Sequence, residues 1–496
     1  MTVWGVSAQG HDAAISVVKD NELVFAAHAE RYSRVKNDPH LNASIIKEAL
    51  EFGEPEKIVW YEDSRLKWLR RAFTRSFNKK ELHPKKYMKQ CYSGSTKPEH
   101  VFVQHHLSHA AAGYYTSPFT DATIIVIDAI GEWETFTVWT AKGNKLKKVF
   151  AKHYPNSLGL WYSAMTHRCD LKPNEHEYIL MGMAALGDPH RLYYKIKDEF
   201  FQKSFLSRES GIHFKSKHNL HRGCRWWEPY EDNLFDIAAA TQQIYEDLLD
   251  DICLYATRAY PSKNLVLMGG CALNCVANSK IAKYWNDIWI MPNPGDAGSS
   301  LGAILAHNND FIKWPGPYLG HNIKGEYPVD EVLKHLLDTR IVGVAAGQAE
   351  FGPRALGNRS LLADPRGEDI KELVNQYKQR EQFRPFAPAI LEEYAHQYFD
   401  MPMATSPYMQ WVGKCKYPKD FPAIIHYDGT SRIQTVGKND NPGFRKLLEK
   451  WYDITGCPML LNTSLNIRSE PLVNTREDAR RWVEENNLPV VCPKND

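Results

Sequence analysis

One layout occurs twice in this chain and restricts its fold more than any other feature. Residues 3 to 28 read as an apolar strand (Val3 to Val6), a small-residue turn through Gly10, His11 and Asp12, and a second strand from Ala13 to Val18. A Lys-Asp-Asn-Glu turn leads into a third strand, Leu23 to Ala27. Residues 123 to 150 repeat the order as TIIVID, a turn through Gly131, FTVWTA, a Lys-Gly-Asn turn and KLKKVF. Two hairpin-bearing halves predict an internally duplicated α/β domain.

Paired turns of this kind, facing each other across a nucleotide cleft, resemble the plan of the actin-like ATPases and sugar kinases. The strand NLVLMGG (Asn264 to Gly270) runs into a glycine pair, where bare backbone lets a nucleotide lie close to the main chain. The segment IWIMPNPGDAGSSLGAILA passes through small residues into a helix from Ser299 to Ala306. A Pro/Gly-rich linker, KWPGPYLGHNIKGEYP, places a domain boundary near residue 320. Beyond it, IVGVAAG reads as a buried strand, KELVNQYKQR as a helix and CPMLLNTSLN as a strand with a polar end. The expected domains are therefore 1–320 and a smaller α/β domain, 321–496.

A chain of 496 residues calls for two or three domains, and 43% hydrophobic with 24% charged residues suits a globular core. The net charge of +2 gives no argument about a polyanionic partner, so that question rests on local patches. No apolar run approaches the roughly 20 residues that span a bilayer, and MTVWGVSAQGHD lacks the features of a signal peptide. Nine cysteines without a regular framework suit a reducing compartment. The expectation is a cytoplasmic protein with no membrane partner. Cys271 and Cys275 have no second pair at zinc spacing and read as small core residues beside the glycine turn.

The sharpest local signal is HHLSH. On a helix, His105 and His109 project from one face at i and i+4, as in helical metal pairs. Asp128 and Asp296 are candidate further ligands, each at the end of an apolar strand where a turn opens. Either aspartate also suits a plain helix or turn cap. The second signal is EFGPRALGNRSLLADPRG, which sets Arg354, Arg359 and Arg366 among apolar residues. Guanidinium groups recognise phosphate or carboxylate in a planar, bidentate way. The segment KQREQFRPFAP adds Lys378, Arg380 and Arg384, so an anion site is expected in the C-terminal domain. A structural salt-bridge network remains the other reading.

In order, GHDAA, HHLSHAAAGYYTSPF, GEWET, MGGCALNC, PNPGDAGSSLGA, EFGPRALGNRSLLADPR, REQFRPFAP and LNTSLNIRSEPLV resemble the NodU/CmcH-type O-carbamoyltransferases from about residue 3 to residue 475. The resemblance implies an actin-like (Kae1-like) transfer domain followed by a YrdC-like domain that makes an acyl-adenylate. It implies ATP, with Mg2+, and carbamoyl phosphate as co-substrates, and carbamoyl-adenylate as the intermediate. His105, His109, Asp128 and Asp296 would bind one divalent metal: iron(II), or Mg2+, Mn2+ or Zn2+ in its place. His11 would take the proton from the acceptor alcohol. Asp12, Gly131, Gly269, Gly270 and Asn274 would line the nucleotide. Arg354, Arg359, Arg366, Lys378, Arg384 and Asn462 would hold carbamoyl phosphate and the ATP phosphates. Three departures stand out: Ala129 replaces a turn glycine, Ile179 stands where a lysine is expected, and the chain is shorter than typical relatives.

The acceptor hydroxyl is less legible, and a homodimer is compatible with the chain. Residues 65–89 and 213–227 are basic with interleaved aromatics, which suits a phosphate backbone and an unstacked base. One reading is therefore a 5-hydroxymethylcytosine base in DNA, flipped from its stack. The other is a small-molecule or sugar alcohol, with Leu66, Leu69, Phe73 and Phe77 forming the inward face of an amphipathic helix. An actin-fold kinase, a regulator without chemistry and a tRNA threonylcarbamoyl transferase are the rival classes.

Overall fold

The computed structural model describes residues 1–73, 83–92, 94–201, 220, 223–224, 233–467 and 469–494. Strands β1 (Thr2–Ser7), β2 (Ala14–Lys19), β3 (Glu22–His28), β4 (Lys57–Trp60) and β5 (Glu99–Phe102) form one sheet in the order β3-β2-β1-β4-β5. Strands β6 (Asp121–Ile127), β7 (Glu134–Lys142), β8 (Lys145–His153), β9 (Asn264–Met268) and β10 (Asp287–Trp289) form a second, ordered β8-β7-β6-β9-β10. Position by position the two orders are the same. The duplication therefore extends through both sheets, as in an actin/sugar-kinase-like fold.

The register shows why these segments are strands. β6 pairs antiparallel with β7 and parallel with β9, so both its edges are hydrogen-bonded and both faces covered. It carries an apolar, β-branched run, as a strand buried on both faces must. The turn between β2 and β3 uses Asp20 and Asn21 at φ 50° and 66°, residues that tolerate the left-handed region a two-residue hairpin needs.

The helices that position the site are α1 (Ser64–Phe73), α2 (His105–Thr116), α3 (Leu234–Ala259) and α4 (Ser299–Asn308). Every residue of α2 except Leu107 is buried. Gly302 of α4 faces the backbone of α2: a Cβ there would stand 1.9 Å from the Ser108 carbonyl oxygen. Only glycine permits that approach.

The C-terminal part holds β11 (Tyr318–Ile323), β12 (Ile341–Ala345), β13 (Gly347–Glu350), β14 (Arg359–Ala363) and β15 (Ala387–Leu391). They are followed by β16 (Phe399–Asp400), β17 (Trp411–Cys415), β18 (Thr430–Val436), β19 (Met459–Ser464) and β20 (Val490–Val491). Eight of these make a mixed sheet ordered β16-β17-β18-β15-β19-β14-β12-β20, and β11 pairs antiparallel with β13. Helices α5 (Val329–Thr339), α6 (Asp369–Lys378) and α7 (Pro442–Thr455) contribute to its core. α7 shows the local logic. Asn441 caps its first turn by accepting the Phe444 N–H, Phe444, Leu447, Leu448 and Trp451 form its buried stripe, and Gly456 closes it at φ 68°.

By internal contacts the chain forms two units: Met1–Gln9, Asp20–Glu22 and Glu54–Lys313, and Gly10–Lys19, Leu23–Gly53 and Trp314–Asp496. The second unit thus takes in the His11–Asp12 turn, which a single cut near residue 320 would leave in the first. The Pro/Gly-rich linker also differs from expectation, since its residues 318–323 form β11. Among the described residues, no helix is long and apolar enough to cross a membrane.

Candidate functional site

In the first unit the chain brings His105, His109, Asp128 and Asp296 into one buried group, with one ligand atom from each lying within 4.8 Å of the others. The two histidines come from the first and second turns of α2, as their i, i+4 spacing requires. Asp128 follows β6, and Asp296 lies in the turn that enters α4. The Nε2 atoms are 3.1 Å apart. His105 Nε2 lies 3.2 Å from Asp128 Oδ2 and 3.4 Å from Asp296 Oδ1, and His109 Nε2 lies 3.3 Å from the latter. Ligand atoms about 2.1 Å from one shared ion stand roughly 3.0–4.2 Å apart, and with His109 Nε2 4.0 Å from Asp128 Oδ2 a small closure would bring the set round a single divalent cation. Two imidazoles and two carboxylates suit iron(II), manganese or zinc.

Neighbouring backbone orients the donors. His109 Nδ1 donates to the Pro294 carbonyl at 3.1 Å, leaving Nε2 as the ligand atom. The Gly270 N–H donates to Asp128 Oδ1 at 3.1 Å. That contact depends on Gly269, which has φ 92° and whose Cβ would stand 2.1 Å from the Ile127 carbonyl oxygen. Burial opposes a charged His105, but Asp296 and Asp128 outweigh it and raise its pKa well above the ordinary value. Burial and Asp296 likewise oppose ionised Asp128, and the two histidines reverse this, holding it at about 2. His106 is no ligand: burial and then the two neighbouring histidines lower its pKa, and its Nδ1 lies 2.9 Å from Thr137 Oγ1.

Four residues around this group were missed at the level of sequence. Glu132, in GEWET, accepts the backbone N–H of His105 at 3.0 Å and of Asp63 at 2.8 Å. Glu62 sits 3.9 Å from His105 Nδ1 and pairs with Lys67. Arg70 donates to the Gly131 carbonyl at 2.6 Å. Glu62 lies just past strand β4, the same strand-end signal that marked Asp128. Lys67 and Arg70 correct the expected amphipathic helix, because α1 buries these two charges while Leu69 and Phe73 are 52% and 73% exposed. Residues 74–82 of the first basic segment, Phe77 among them, and residues 213–219, 221–222 and 225–227 of the second lie outside the described residues.

The proposed nucleotide residues fall in both units. Gly131 packs on His105, and Gly269 and Gly270 flank Asp128. Asn274 forms a reciprocal amide pair with Gln242 at 2.9 and 3.1 Å and caps its helix by accepting the Ala277 N–H. His11 is exposed in the second unit, its Nδ1 3.1 Å from Asp12 Oδ2. Ile179, where a cation was expected, is a core residue. Ala129 is half-buried, its carbonyl accepting the Ser157 hydroxyl at 2.5 Å.

The expected phosphate residues separate into two kinds. Arg359 is 0% exposed, and its guanidinium donates to the carbonyls of Asn474, Ala346, Gly347, Asn358 and His321. No donor remains for a phosphate, so Arg359 holds the loop instead. Arg366 grips Asp364 in a bidentate pair at 2.8 and 2.9 Å and reaches the Thr455 carbonyl at 3.4 Å, with part of its guanidinium still exposed. Lys378 is buried and bonded to Ser464 and Asn466. Burial and then the charges of Arg380, Arg384 and Lys36 lower its pKa well below the ordinary value, which marks a cluster of cations. Arg384 reaches Glu381 at 3.4 Å. Arg354 is half-buried beside this loop in sequence. Asn462 donates to Ala355 and Gln434, and its Oδ1 is a buried acceptor without a partner among the described residues.

Known proteins similar to this chain show its family. Residues 44–305 match the family description Carbamoyltransferase N-terminus, and residues 333–495 match Carbamoyltransferase C-terminus. The uncharacterized protein sll1178 of Synechocystis is 33% identical, over 99% of this chain and 96% of its own. Nodulation protein NolNO of Sinorhizobium fredii is 30% identical over 95% and 76%, and Nodulation protein U of the same species 28% over 97% and 96%. Among solved structures, an activator of the 2-hydroxyisocaproyl-CoA dehydratase from Clostridium difficile aligns at TM-score 0.36 and 14% identity, covering 62% of this chain and 96% of that one. Full-length HypF aligns at 0.35 and 13%, covering 62% and 46%. The chain belongs to the NodU/CmcH-type carbamoyltransferase family and is a carbamoyltransferase.

Proposed function

We propose that this carbamoyltransferase uses ATP and carbamoyl phosphate to place a carbamoyl group on an acceptor hydroxyl through carbamoyl-adenylate. Water cleaves carbamoyl phosphate to carbamate and phosphate. A carbamate oxygen attacks the α-phosphorus of ATP and pyrophosphate leaves. The acceptor oxygen then attacks the carbamoyl carbon and AMP leaves. The observation that carries the reading is the buried two-histidine, two-aspartate group at the turns of the duplicated sheets.

Each step has a residue suited to it. His105, His109, Asp128 and Asp296 would hold a divalent ion, iron(II) in this reading, which when bound supplies Lewis-acid charge toward the adenylate phosphate. Gly269 and Gly270 offer bare backbone beneath the nucleotide. His11, backed by the Asp12 carboxylate at 3.1 Å, is suited to take the acceptor's proton. The Lys36, Lys378, Arg380 and Arg384 cluster supplies positive charge for phosphate oxygens in a YrdC-like unit.

For the acceptor, the exposed face of α1 favours a hydroxymethylated base in DNA. Arg65, Trp68, Leu69 and Phe73 are exposed there, while the inner face reaches Glu62 and Gly131 beside the metal ligands. Exposed aromatics next to a cation suit an unstacked base. A release assay with ATP and carbamoyl phosphate, with and without hydroxymethylcytosine DNA, tests both levels. AMP, pyrophosphate and a mass gain on the base support the full reading. The same products without that gain point to a small-molecule alcohol, and ADP alone rejects the adenylate route.

A further inference from the structure

Two of the arginines buried in the second unit, Arg31 and Arg359, have surroundings that differ in kind. Arg359 is 0% exposed and fully hydrogen-bonded, as described above. Arg31 is 3% exposed, yet among the described residues its guanidinium makes one direct hydrogen bond, from Nη2 to the Gly352 carbonyl at 2.7 Å. Its Nε faces Glu30 only at ion-pair range, 3.5 Å, and its Nη1 has no partner among the described residues. Each guanidinium has a carboxylate in its surroundings, so net charge does not distinguish them. Hydrogen bonding does. A buried donor without an acceptor is disfavoured, and one setting in which a native protein keeps it is where a ligand, ion or water supplies the oxygen.

The bond to Gly352 sets this guanidinium against the turn that leads through exposed Pro353 to half-buried Arg354. Its neighbour Arg34 also has an Nε without a hydrogen bond, facing Asp478 at 3.6 Å, but differs at the tip, where both Nη atoms donate to the carbonyls of Leu472 and Pro471. We propose that Arg31 is an oxyanion-binding residue, taking an oxygen of a phosphate-bearing substrate at the Gly352–Arg354 turn. The N-terminal ERYSRVK segment thereby supplies part of the phosphate site of the second unit. The inference rests on the reading of that unit as a phosphate-binding one, and names a residue 321 positions upstream of the loop it serves.

The test is calorimetric titration of the full-length protein with inorganic phosphate and with carbamoyl phosphate. Arg31→Gln is expected to weaken binding by about tenfold or more, the range for one charge-assisted hydrogen bond, and Arg31→Lys to weaken it less. Arg34→Lys should bind as the wild type does. Phosphate should raise the wild-type melting temperature and leave that of Arg31→Gln unmoved. Arg31 variants that melt lower but bind phosphate unchanged would show that Arg31 only braces Gly352, and overturn the proposal. So would a wild-type protein that binds neither anion. Arg31-dependent phosphate binding in a protein that makes only ADP would keep this site and reject the adenylate route.

Discussion

His109 donates its Nδ1 proton to the carbonyl oxygen of Pro294 at 3.1 Å, and the same carbonyl accepts the Gly269 N–H at 2.9 Å. One backbone oxygen thereby sets the tautomer of a candidate ligand histidine and the path of the turn beside Asp128. His109→Ala is expected to reduce bound metal to background and abolish carbamoyl transfer, with metal counted by mass spectrometry on protein loaded with iron(II) or manganese. Undiminished metal in that variant would remove His109 from the ligand set.

Glu132 is expected to matter for the metal without touching it. Its carboxylate caps the start of α2 through the His105 N–H. Glu132→Ala leaves buried amides unpaired, so stability should drop by about 1–3 kcal/mol. Metal affinity should fall about 10–100-fold, the range for groups that orient ligands. Urea melts and a competitive chelator titration measure the two effects separately.

Arg359 and Arg366 should behave oppositely despite their shared motif. Arg359→Met strips five backbone carbonyls of their donor and should destabilise by at least ~3 kcal/mol. Arg366 pairs with Asp364 at a partly exposed position, so Arg366→Gln should stay within about 1 kcal/mol of wild type. Denaturant midpoints of the two variants decide it.

His28 gives the protein an acid-sensitive limb. Burial, then the charge of Arg31, lowers its pKa from 6.5 to about 4. Between those values the unfolded chain binds a proton that the folded chain does not, so stability falls as pH falls. The slope from this one group is about 1.4 kcal/mol per pH unit. Urea midpoints between pH 7 and pH 4 should fall less steeply in His28→Gln than in the wild type.

The duplicated sheets and the clustering of two histidines with two aspartates were legible because their signals are local. Strand-turn-strand order survives in residues 3–28 and 123–150, and the i, i+4 spacing of His105 and His109 needs only a helix. The inverted face of α1 was not legible, since what draws Lys67 and Arg70 inward is Glu62 and the Gly131 carbonyl. Arg359 was misread for a similar reason. The carbonyls it serves come from residues 321, 346, 347, 358 and 474, and nothing in EFGPRALGNRS announces them. Likewise β11 is hidden in a Pro/Gly-rich stretch because it is made a strand by β13, more than twenty residues later.

The contact between Gly302 and the Ser108 carbonyl has a consequence for which ion the centre admits. α2 carries both histidines and α4 begins just after Asp296, so the distance between these two helices is the aperture of the centre. Backbone rests on backbone there, with no pliable side chain to take up slack. A methyl group at residue 302 is therefore expected to push α4 off α2 and spread the four candidate donors, favouring larger cations in a metal-competition assay, without altering any of those side chains.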